Sequence, residues 1–337
     1  MKILLVRLGA LGDIVHALPV AAALRERHPD AQIDWLVDAK HAAVLDLVPV
    51  ISRRVTVDSR RWGASLGAVR GLRRERYDVA VDLQGLVKSA AFARMSGAAR
   101  VIGFARAHLR EKLAARFYSE ACDPGDVRHV IDKNLSVLAL FGIAERKRQF
   151  PIAVPESAAC GPVVERVRRD GLRGYALINP GAAWPNKQWP PARFGEIASA
   201  LATRHALLPV VLWGPGEQAI AAGVVEASGG RAMVAPPTGI GDLLALARGA
   251  RLMLSGDTGP LHLGAAVGAP IVALFGPTDP ARNGPWDASD VSLSRFADCV
   301  CHYERRCRRS RGCIEDLAVE DVRAAIDRRL AAAEPHA

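Results

Sequence analysis

The chain has 337 residues, about half of them apolar, and a formal net charge of +10. Its length exceeds one ordinary hydrophobic core and predicts two domains. No apolar stretch of about 18–20 residues lacks charges, which argues against a membrane span, and Arg7 and Asp13 interrupt the first apolar run, which argues against a signal peptide.

The positive charge is concentrated in the first half. Residues 1–155 contain 25 Lys or Arg against 16 Asp or Glu, whereas residues 156–337 contain 20 against 19. A basic half predicts an anionic partner, such as nucleic acid, a phosphorylated glycan or an anionic membrane, or else only a well-solvated surface. Because the chain has no nucleic-acid-binding motif and only 5% aromatic residues, we expect no nucleic-acid partner.

In the first half, apolar runs alternate with segments of helical spacing, which predicts an α/β fold with a parallel, doubly wound sheet. The predicted strands are Lys2–Arg7, Ala31–Val37, Arg53–Val57, Val79–Leu83 and Val101–Phe104. The predicted helices are Ile14–Arg27, Ala39–Leu47 and His129–Leu140, with basic helical segments within Ser59–Asp78 and Arg106–Arg116.

A glycine-bearing loop, Leu8–Asp13, follows the first strand. It lacks the G-x-G-x-x-G pattern, so it does not indicate a dinucleotide site. Asp13 lies where a strand's carboxyl end meets a helix. It either caps that helix or serves as a general base in a crevice.

The proline-bearing stretch Glu145–Gly161 predicts the domain boundary, giving domains 1–155 and 156–337, with the final helix a candidate for packing back on the first domain. The strands predicted in the second half are Ala176–Asn179, Pro209–Trp213, Met233–Ala235, Arg251–Leu254 and Pro270–Phe275. The helices predicted there are Ala192–His205, Gln218–Ser228, Ile240–Arg248 and Leu261–Val267. Two such domains would place a ligand cleft at facing carboxyl ends.

The stretch Ser255–His262, SGDTGPLH, is the main candidate site of the second half. It places Asp257, Thr258, Gly259 and His262 at a strand end and a helix start, where anions and nucleotides bind in open α/β sheets. The alternative is an ordinary glycine-rich connection in which Asp257 caps a helix.

Two further residues are candidates in loops of the second half. Lys187, within the Gly/Pro loop Pro180–Pro190, would neutralise a phosphate or remain a solvent-exposed lysine. Glu217, after a GPG turn, would accept hydrogen bonds from ribose or sugar hydroxyls or cap the next helix.

The six cysteines predict thiols in a reducing cytosol, because no secretory signal accompanies them. Four of them form a C-x-C-x5-C-x5-C pattern, Cys299, Cys301, Cys307 and Cys313. Four thiolates would bind zinc or iron, but this is not the usual C-x2-C spacing. Free thiols in a short arginine-rich loop are the alternative.

Four stretches resemble one enzyme family: VRLGALGDIVHALP, YDVAVDLQGLVKSAAF, PGAAWPNKQWP and SGDTGPLHLGAAVGAPIVALFGPTDP. They resemble the bacterial ADP-heptose:lipopolysaccharide heptosyltransferases of glycosyltransferase family 9, and the resemblance implies a GT-B fold of two facing Rossmann-like domains. The stretches RRW, QGLVKSA and REKLAARFY resemble enzymes that add the first heptose to Kdo. The cysteine-bearing tail resembles second-heptose enzymes and other relatives, which leaves a later core position or another acceptor as the alternative.

The resemblance also implies roles for individual residues. Asp13 would be the general base of an inverting transfer, and Lys187 would bind the diphosphate. Thr258 and the backbone at Gly259 would hold the phosphates, Asp257 the sugar, His262 the ligand or its loop, and Glu217 the ribose. The residues implied for the acceptor's carboxylates and phosphates are Arg60, Arg61, Lys88, Arg110, Lys112 and Arg116.

The implied partners follow from the same resemblance. ADP-heptose would be a substrate, not a cofactor, and Kdo-lipid A would be the acceptor, with no metal required. The resemblance further implies a cytoplasmic protein in peripheral contact with the anionic inner membrane.

Overall fold

The computed structural model describes residues 1–58 and 66–333. The chain divides into two compact units, Met1–Ala153 and Val154–Ala337. Each unit contains one six-stranded sheet with its own buried core.

The first unit alternates strands with short helices. Its strands are β1 Lys2–Val6, β2 Gln32–Asp38, β3 Arg53–Val57, β4 Val79–Asp82, β5 Arg100–Phe104 and β6 Glu120–Cys122. Its α-helices are α1 Leu11–Val15, α2 Leu18–Arg27, α3 Leu66–Glu75, α4 Val87–Met95 and α5 Val130–Leu135. Its 3₁₀ segments are Ala39–Leu47, Arg106–His108, Lys112–Phe117 and Ser136–Phe141.

The second unit has longer helices. Its strands are β7 Gly174–Asn179, β8 Leu207–Val211, β9 Met233–Val234, β10 Leu252–Gly256, β11 Ile271–Phe275 and β12 Val291–Ser294. Its α-helices are α6 Cys160–Arg169, α7 Pro191–His205, α8 Gln218–Ala227, α9 Ile240–Gly249, α10 Gly259–Ala266, α11 Pro280–Asn283 and α12 Val319–Ala333. Its 3₁₀ segments are Pro185–Lys187 and Cys313–Asp316.

The two sheets share one topology. The first has the order β3-β2-β1-β4-β5-β6, and the second, read from its far edge, has β9-β8-β7-β10-β11-β12. Adjacent strands run parallel in both. This is the Rossmann strand order, in which the direction of winding reverses beside the first strand of the unit. The reversal occurs between β1 and β4 in the first unit and between β7 and β10 in the second, and ligands bind at the carboxyl ends there.

Burial explains why these segments form central strands. Ile3–Val6 and Leu252–Leu254 are fully buried, as expected for parallel strands covered by helices on both faces. Each Leu or Ile side chain buried in this way contributes roughly 2 kcal/mol. The last helix, α12, buries Val322, Ala325 and Ile326 in the core of the second unit.

Several predicted helices differ from those in the structure. The predicted helix Ile14–Arg27 is two helices, α1 and α2, because Pro19 near the start of α2 has no N–H to continue the hydrogen bonding from α1. Ala39–Leu47 is a 3₁₀ helix rather than an α-helix, and the region Arg106–Arg116 contains two short 3₁₀ segments. The predicted helix His129–Leu140 changes from α to 3₁₀ at Ser136.

The sequence interpretation missed two strands and two α-helices. The strands are β6 and β12, which are short, lie at the edges of their sheets and are only partly apolar. The helices are α6, whose charged face carries three arginines in its last turn, and α11, which is only four residues long. No helix of the described residues is long and apolar enough to cross a membrane.

Candidate active site

A buried ion pair marks the carboxyl ends of β7 and β10. The ammonium of Lys187, from the loop after β7, lies 2.5 Å from Oδ2 of Asp257, which directly follows β10. The side chains are 13% and 5% exposed. The Lys187 ammonium also lies 4.7 Å from the centre of the Trp184 ring. The topology therefore brings these two predicted donor-site residues together.

Asp257 is the centre of a larger hydrogen-bond network. Its Oδ2 accepts a 2.7 Å hydrogen bond from Thr278 and a 3.4 Å one from Asn283, and its Oδ1 lies 3.2 Å from Nε2 of His262. Burial by itself would raise the pKa of Asp257, but the hydrogen bond with His262 and the positive charge of Lys187 outweigh it and hold that pKa well below its ordinary value. Asp257 is therefore an anion at neutral pH.

The start of α10 lies beside this network. Thr258 is the residue before the helix, and Gly259 is its first residue. The side-chain amide of Asn179, the last residue of β7, donates to the Thr258 hydroxyl at 2.9 Å and to Ser255 at 3.0 Å. This fixes the Thr258 side chain at a helix N-terminus, where the first N–H groups lack partners within the helix and attract anions.

Glu217 occupies the loop after the neighbouring strand β8. Its Oε2 accepts a hydrogen bond from the Gly214 N–H at 2.9 Å, so the carboxylate folds back over the turn and makes no capping bond to α8. A Cβ at Gly181 would lie only 2.2–2.3 Å from this carboxylate. Glu217 thus sits against the first residues of the loop that carries Lys187.

In the first unit, Asp13 lies at the equivalent strand end. It is the third residue of α1, and its Oδ2 accepts a hydrogen bond from the Ala10 N–H at 3.1 Å. Its Oδ1 lies 2.8 Å from Nη2 of Arg7, the residue that follows β1. The Asp13 side chain is 35% exposed and that of Arg7 only 8%. Asp13 therefore makes a helix-capping contact and still presents its carboxylate to solvent.

A second buried carboxylate organises the loop after β4. Asp82 accepts hydrogen bonds from the N–H groups of Gln84 and Gly85 and from the hydroxyls of Ser89 and Tyr118, at 2.7–3.2 Å. Burial, only partly offset by these bonds, raises its pKa.

This loop is tied to the loop that follows β1. The Leu8 N–H donates to Oε1 of Gln84 at 2.7 Å, and Arg7 donates to the Leu83 carbonyl. The loops after β1 and β4 thus form one hydrogen-bonded layer.

His41 packs against the Asp13 loop. A Cβ at Gly9 would come within 2.7 Å of its ring. Burial lowers the pKa of His41, Lys40 lowers it further, and Asp38 and Asp13 partly oppose the shift.

The structure describes four of the six predicted acceptor residues. Lys88 is the second residue of α4, and the exposed residues Arg110, Lys112 and Arg116 lie on or beside the 3₁₀ segment that packs against that helix. The Glu111 carboxylate accepts a 2.7 Å hydrogen bond from the Val87 N–H, which places the segment at the start of α4. The other two, Arg60 and Arg61, lie outside the described residues.

The four tail cysteines lie together as free thiols. The sulfurs of Cys299 and Cys301 are 3.7 Å apart, and those of Cys301 and Cys307 are 3.3 Å apart. Burial, together with the neighbouring thiols, raises the pKa of Cys313 to about 12. Within residues 1–58 and 66–333, no group of three or more His, Cys, Asp or Glu side chains is arranged to hold a metal ion.

The cysteine loop packs against the loop that carries Lys187. The Asn186 side-chain amide donates to the Glu304 carbonyl at 2.8 Å, and Arg305 donates to the Ala183 carbonyl at 3.2 Å. The segment between Cys301 and Cys307 is therefore hydrogen-bonded to the loop that carries Lys187.

Comparison with known families decides the class of this site. The family model described as "Glycosyltransferase family 9 (heptosyltransferase)" matches residues 66–311. The chain belongs to glycosyltransferase family 9. It is therefore a glycosyltransferase, and the two Rossmann-type units are those of a family 9 enzyme.

Individual proteins resemble most of the chain. Lipopolysaccharide heptosyltransferase 1 of Pseudomonas aeruginosa is 30% identical over 321 residues, which cover 91% of this chain and 87% of that protein. A glycosyltransferase family 9 structure from Veillonella parvula superposes with a TM-score of 0.80 at 25% identity, covering 98% and 97% of the two chains. The structure of E. coli heptosyltransferase WaaC with ADP-2-deoxy-2-fluoro heptose superposes with a TM-score of 0.75 at 23% identity, covering 97% and 99%.

Several side chains of the site were missed by sequence reasoning. Arg7 and Asn179 each end an apolar run, and a polar residue at a strand's carboxyl end is a usable signal of a site. Thr278 and Asn283 follow β11, and no spacing rule links them to Asp257, which lies 21 and 26 residues earlier. They meet because β11 is the neighbour of β10 in the sheet.

Proposed function

We propose that this enzyme transfers heptose from ADP-L-glycero-D-manno-heptose to the Kdo of the lipopolysaccharide inner core, with inversion at the anomeric carbon. The observation that carries the proposal is the Lys187–Asp257–His262 cluster at the start of α10 in a family 9 chain. Two relatives support this choice of donor and acceptor. The Pseudomonas aeruginosa relative is a lipopolysaccharide heptosyltransferase 1, and the E. coli heptosyltransferase structure contains an ADP-heptose analogue.

The chemistry of the proposed reaction requires positive charge at the donor phosphates. When the glycosidic bond to ADP breaks, the diphosphate leaves with additional negative charge, and hydrogen-bond donors already in place stabilise it. Lys187 supplies an ammonium, and the start of α10 supplies N–H groups and the positive end of a helix dipole. With these donors the reaction needs neither a metal ion nor another cofactor, because ADP-heptose is itself a substrate.

Lys187 must change partner for this role. In the structure its ammonium is held by Asp257, so a bound diphosphate would compete with that carboxylate for the ammonium. Asp257 would then be free to accept a hydrogen bond from a sugar hydroxyl, with Thr278 and His262 keeping its orientation. Glu217 would accept hydrogen bonds from the ribose with the carboxylate oxygen that does not bind Gly214.

Asp13 is the proposed general base. An inverting displacement requires removal of a proton from the acceptor hydroxyl as it attacks the anomeric carbon. The carboxylate is oriented by Arg7 and its side chain is 35% exposed, which suits a group that must reach a substrate.

Anion recognition by the first unit would select the acceptor. Kdo-lipid A carries carboxylate and phosphate groups, which fit Lys88, Arg110, Lys112 and Arg116 on and beside α4, together with Arg60 and Arg61 from the sequence. We propose peripheral contact with the anionic cytoplasmic face of the inner membrane, because a lipid acceptor resides there.

The second candidate function is transfer of heptose to a later core position. The cysteine-bearing tail favours it by its resemblance to second-heptose enzymes.

The test is transfer from ADP-heptose to Kdo-lipid A, followed by mass spectrometry. Asp13→Ala is compared with wild type and with Asp30→Ala, which removes an exposed carboxylate of the same unit. We expect one added heptose with wild type and Asp30→Ala, and a rate lower by about 10³-fold with Asp13→Ala because general-base catalysis contributes 10²–10⁴-fold.

Each of the other possible results would contradict one part of the proposed function. An Asp13→Ala enzyme as active as wild type would exclude the general-base role. Transfer only to an acceptor that already carries heptose would favour the later core position. If wild type transfers no heptose and calorimetry detects no binding of ADP-heptose, the donor assignment is wrong.

A further inference from the structure

Arg7 is a buried cation that the sequence did not mark as part of a site. It follows β1, and only 8% of its side chain is exposed. Its Nη2 lies 2.8 Å from Oδ1 of Asp13, and its Nη1 donates to the Leu83 carbonyl. A buried guanidinium is costly unless its charge is paired, and Asp13 supplies that charge.

Arg7 and the Ala10 N–H together fix the orientation of the Asp13 carboxylate. Oδ1 is held by Arg7 and Oδ2 by the Ala10 N–H at 3.1 Å. Each carboxylate oxygen has two acceptor positions, so each retains one, and the 35% exposure of the side chain shows that part of it reaches solvent. Any hydroxyl that approaches from solvent therefore meets a carboxylate already aligned.

The second contact of Arg7 links Asp13 to a different strand. The Leu83 carbonyl lies just after β4, in the loop that Asp82 holds through the N–H groups of Gln84 and Gly85. The planar guanidinium spans both partners at once, which the single ammonium of lysine cannot do with the same geometry. The position of Asp13 is thus set by the neighbouring loop as well as by its own helix.

We propose that Arg7 is a positioning residue for the glycosyl transfer, which holds the Asp13 carboxylate aimed at the acceptor hydroxyl. The proposal rests on the proposed function, in which Asp13 is the base. A displacement of about 1 Å in such a group costs on the order of 10²-fold in rate. Arg7 would act on the chemical step through Asp13, without contacting the donor.

The experiment compares Arg7→Gln, Arg7→Lys and Arg25→Gln with wild type. Arg25 is the matched control, because it is a half-buried arginine of the same unit that donates to the backbone carbonyls of Val50, Pro29 and Ala31 and not to Asp13. We expect kcat to fall about 100-fold in Arg7→Gln and about 10-fold in Arg7→Lys. The KM for ADP-heptose should stay within about twofold of wild type in both, and kcat in Arg25→Gln should remain near wild type.

A double mutant separates positioning from mere support of the fold. If Arg7 acts through Asp13, adding Arg7→Gln to Asp13→Asn lowers kcat no further, because groups acting as one unit are strongly non-additive. Multiplicative losses, or an Arg7→Gln enzyme with normal kcat, would overturn the proposal. Calorimetric binding of ADP by every variant checks that the second unit is folded.

If the proposed function is wrong, the activities of the variants will follow a different pattern. In that case Asp13→Asn itself keeps full activity, or wild type transfers no heptose at all. If Asp13→Asn is inactive and Arg7→Gln is fully active, only the role of Arg7 is wrong.

Discussion

The ion pairs of the two units differ in whether solvent reaches one of the partners. After β1, the cation is buried and the anion is partly exposed: the Arg7 side chain is 8% exposed and that of Asp13 35%. After β7 and β10, both partners are buried, with the Asp257 side chain 5% exposed and that of Lys187 13%. In the proposed reaction, the partly exposed carboxylate would remove a proton from the acceptor, and the buried pair would bind the donor phosphates.

The two ion pairs also differ in their surroundings. The pair in the second unit is almost fully desolvated and is reinforced by Thr278 and His262. The pair in the first unit is partly open to water on the carboxylate side, where solvent screens the attraction. Substitutions in the two sites should therefore have different effects on stability and on binding.

The largest effect is expected from Lys187→Met. It leaves Asp257 as a buried carboxylate without its cation, which costs about 3 kcal/mol in the free energy of unfolding. It should also weaken ADP binding about 100-fold, because truncating one member of a buried charge pair costs 2–5 kcal/mol. Calorimetry and urea unfolding measure both effects, and Arg248→Met, which removes an exposed cation of the same unit, is the control. Unchanged ADP affinity would remove Lys187 from the donor site.

The next expected effect is a pH dependence of the free energy of unfolding, caused by Asp257. Its pKa is below the ordinary value of 3.8, so the carboxylate stabilises the fold above about pH 4, and this contribution is lost as the pH falls through the lower, folded-state value. Relative to Asp257→Asn, wild type should be more stable by about 2 kcal/mol at pH 7, and the difference should shrink below pH 4. A difference that does not vary with pH would contradict the ionised network.

A smaller effect is expected from Gly181→Ala. The added methyl would lie 2.2–2.3 Å from the Glu217 carboxylate, which would have to leave the Gly214 N–H. We expect about tenfold weaker ADP binding, since overpacking costs about 1–3 kcal/mol. Gly223→Ala is the control, because a Cβ at Gly223 meets no atom within 4 Å. If both variants bind ADP equally well, Glu217 does not contribute to nucleotide binding.

The smallest expected effect is a pH dependence of stability caused by Asp82 in the first unit. Its sign is opposite to that expected for Asp257. Burial raises its pKa above 3.8, so its ionisation disfavours the folded state. Wild type should therefore lose stability relative to Asp82→Asn as the pH rises from about 4 towards the raised value. Chemical unfolding from pH 4 to 8 measures the slope, and a slope of the same sign as for Asp257 would contradict the comparison.

Much of the fold could be predicted because central parallel strands are nearly continuous apolar runs. The run KILLVR and the run RLML each coincide with a buried strand in the structure, and their flanking loops carry the candidate site residues. The edge strands β6 and β12 could not be found in this way, because short, half-exposed segments have no such pattern. The choice between 3₁₀ and α geometry at Ala39–Leu47 depends on packing that a residue pattern does not contain.

The sequence predicted some residues of the candidate site but not the contacts between them. Asp257 and His262 were identified in one stretch and Lys187 in another, and only the strand order shows that Lys187 and Asp257 touch. Thr278, which donates to Asp257, and Asn179, which donates to Thr258, come from other strand ends. Hydrogen-bond geometry between distant segments is set by the sheet, so it cannot be deduced from spacing along the chain.

Lys187 also gives the second unit an intrinsic chemical reporter. It is the only lysine in residues 156–337, and its side chain is 13% exposed, with the ammonium held by a carboxylate. An amine-reactive reagent that modifies the second unit at a lysine must therefore do so within the candidate donor site. Peptide mapping after such labelling would read occupancy of that site directly from a single peptide, without any engineered probe.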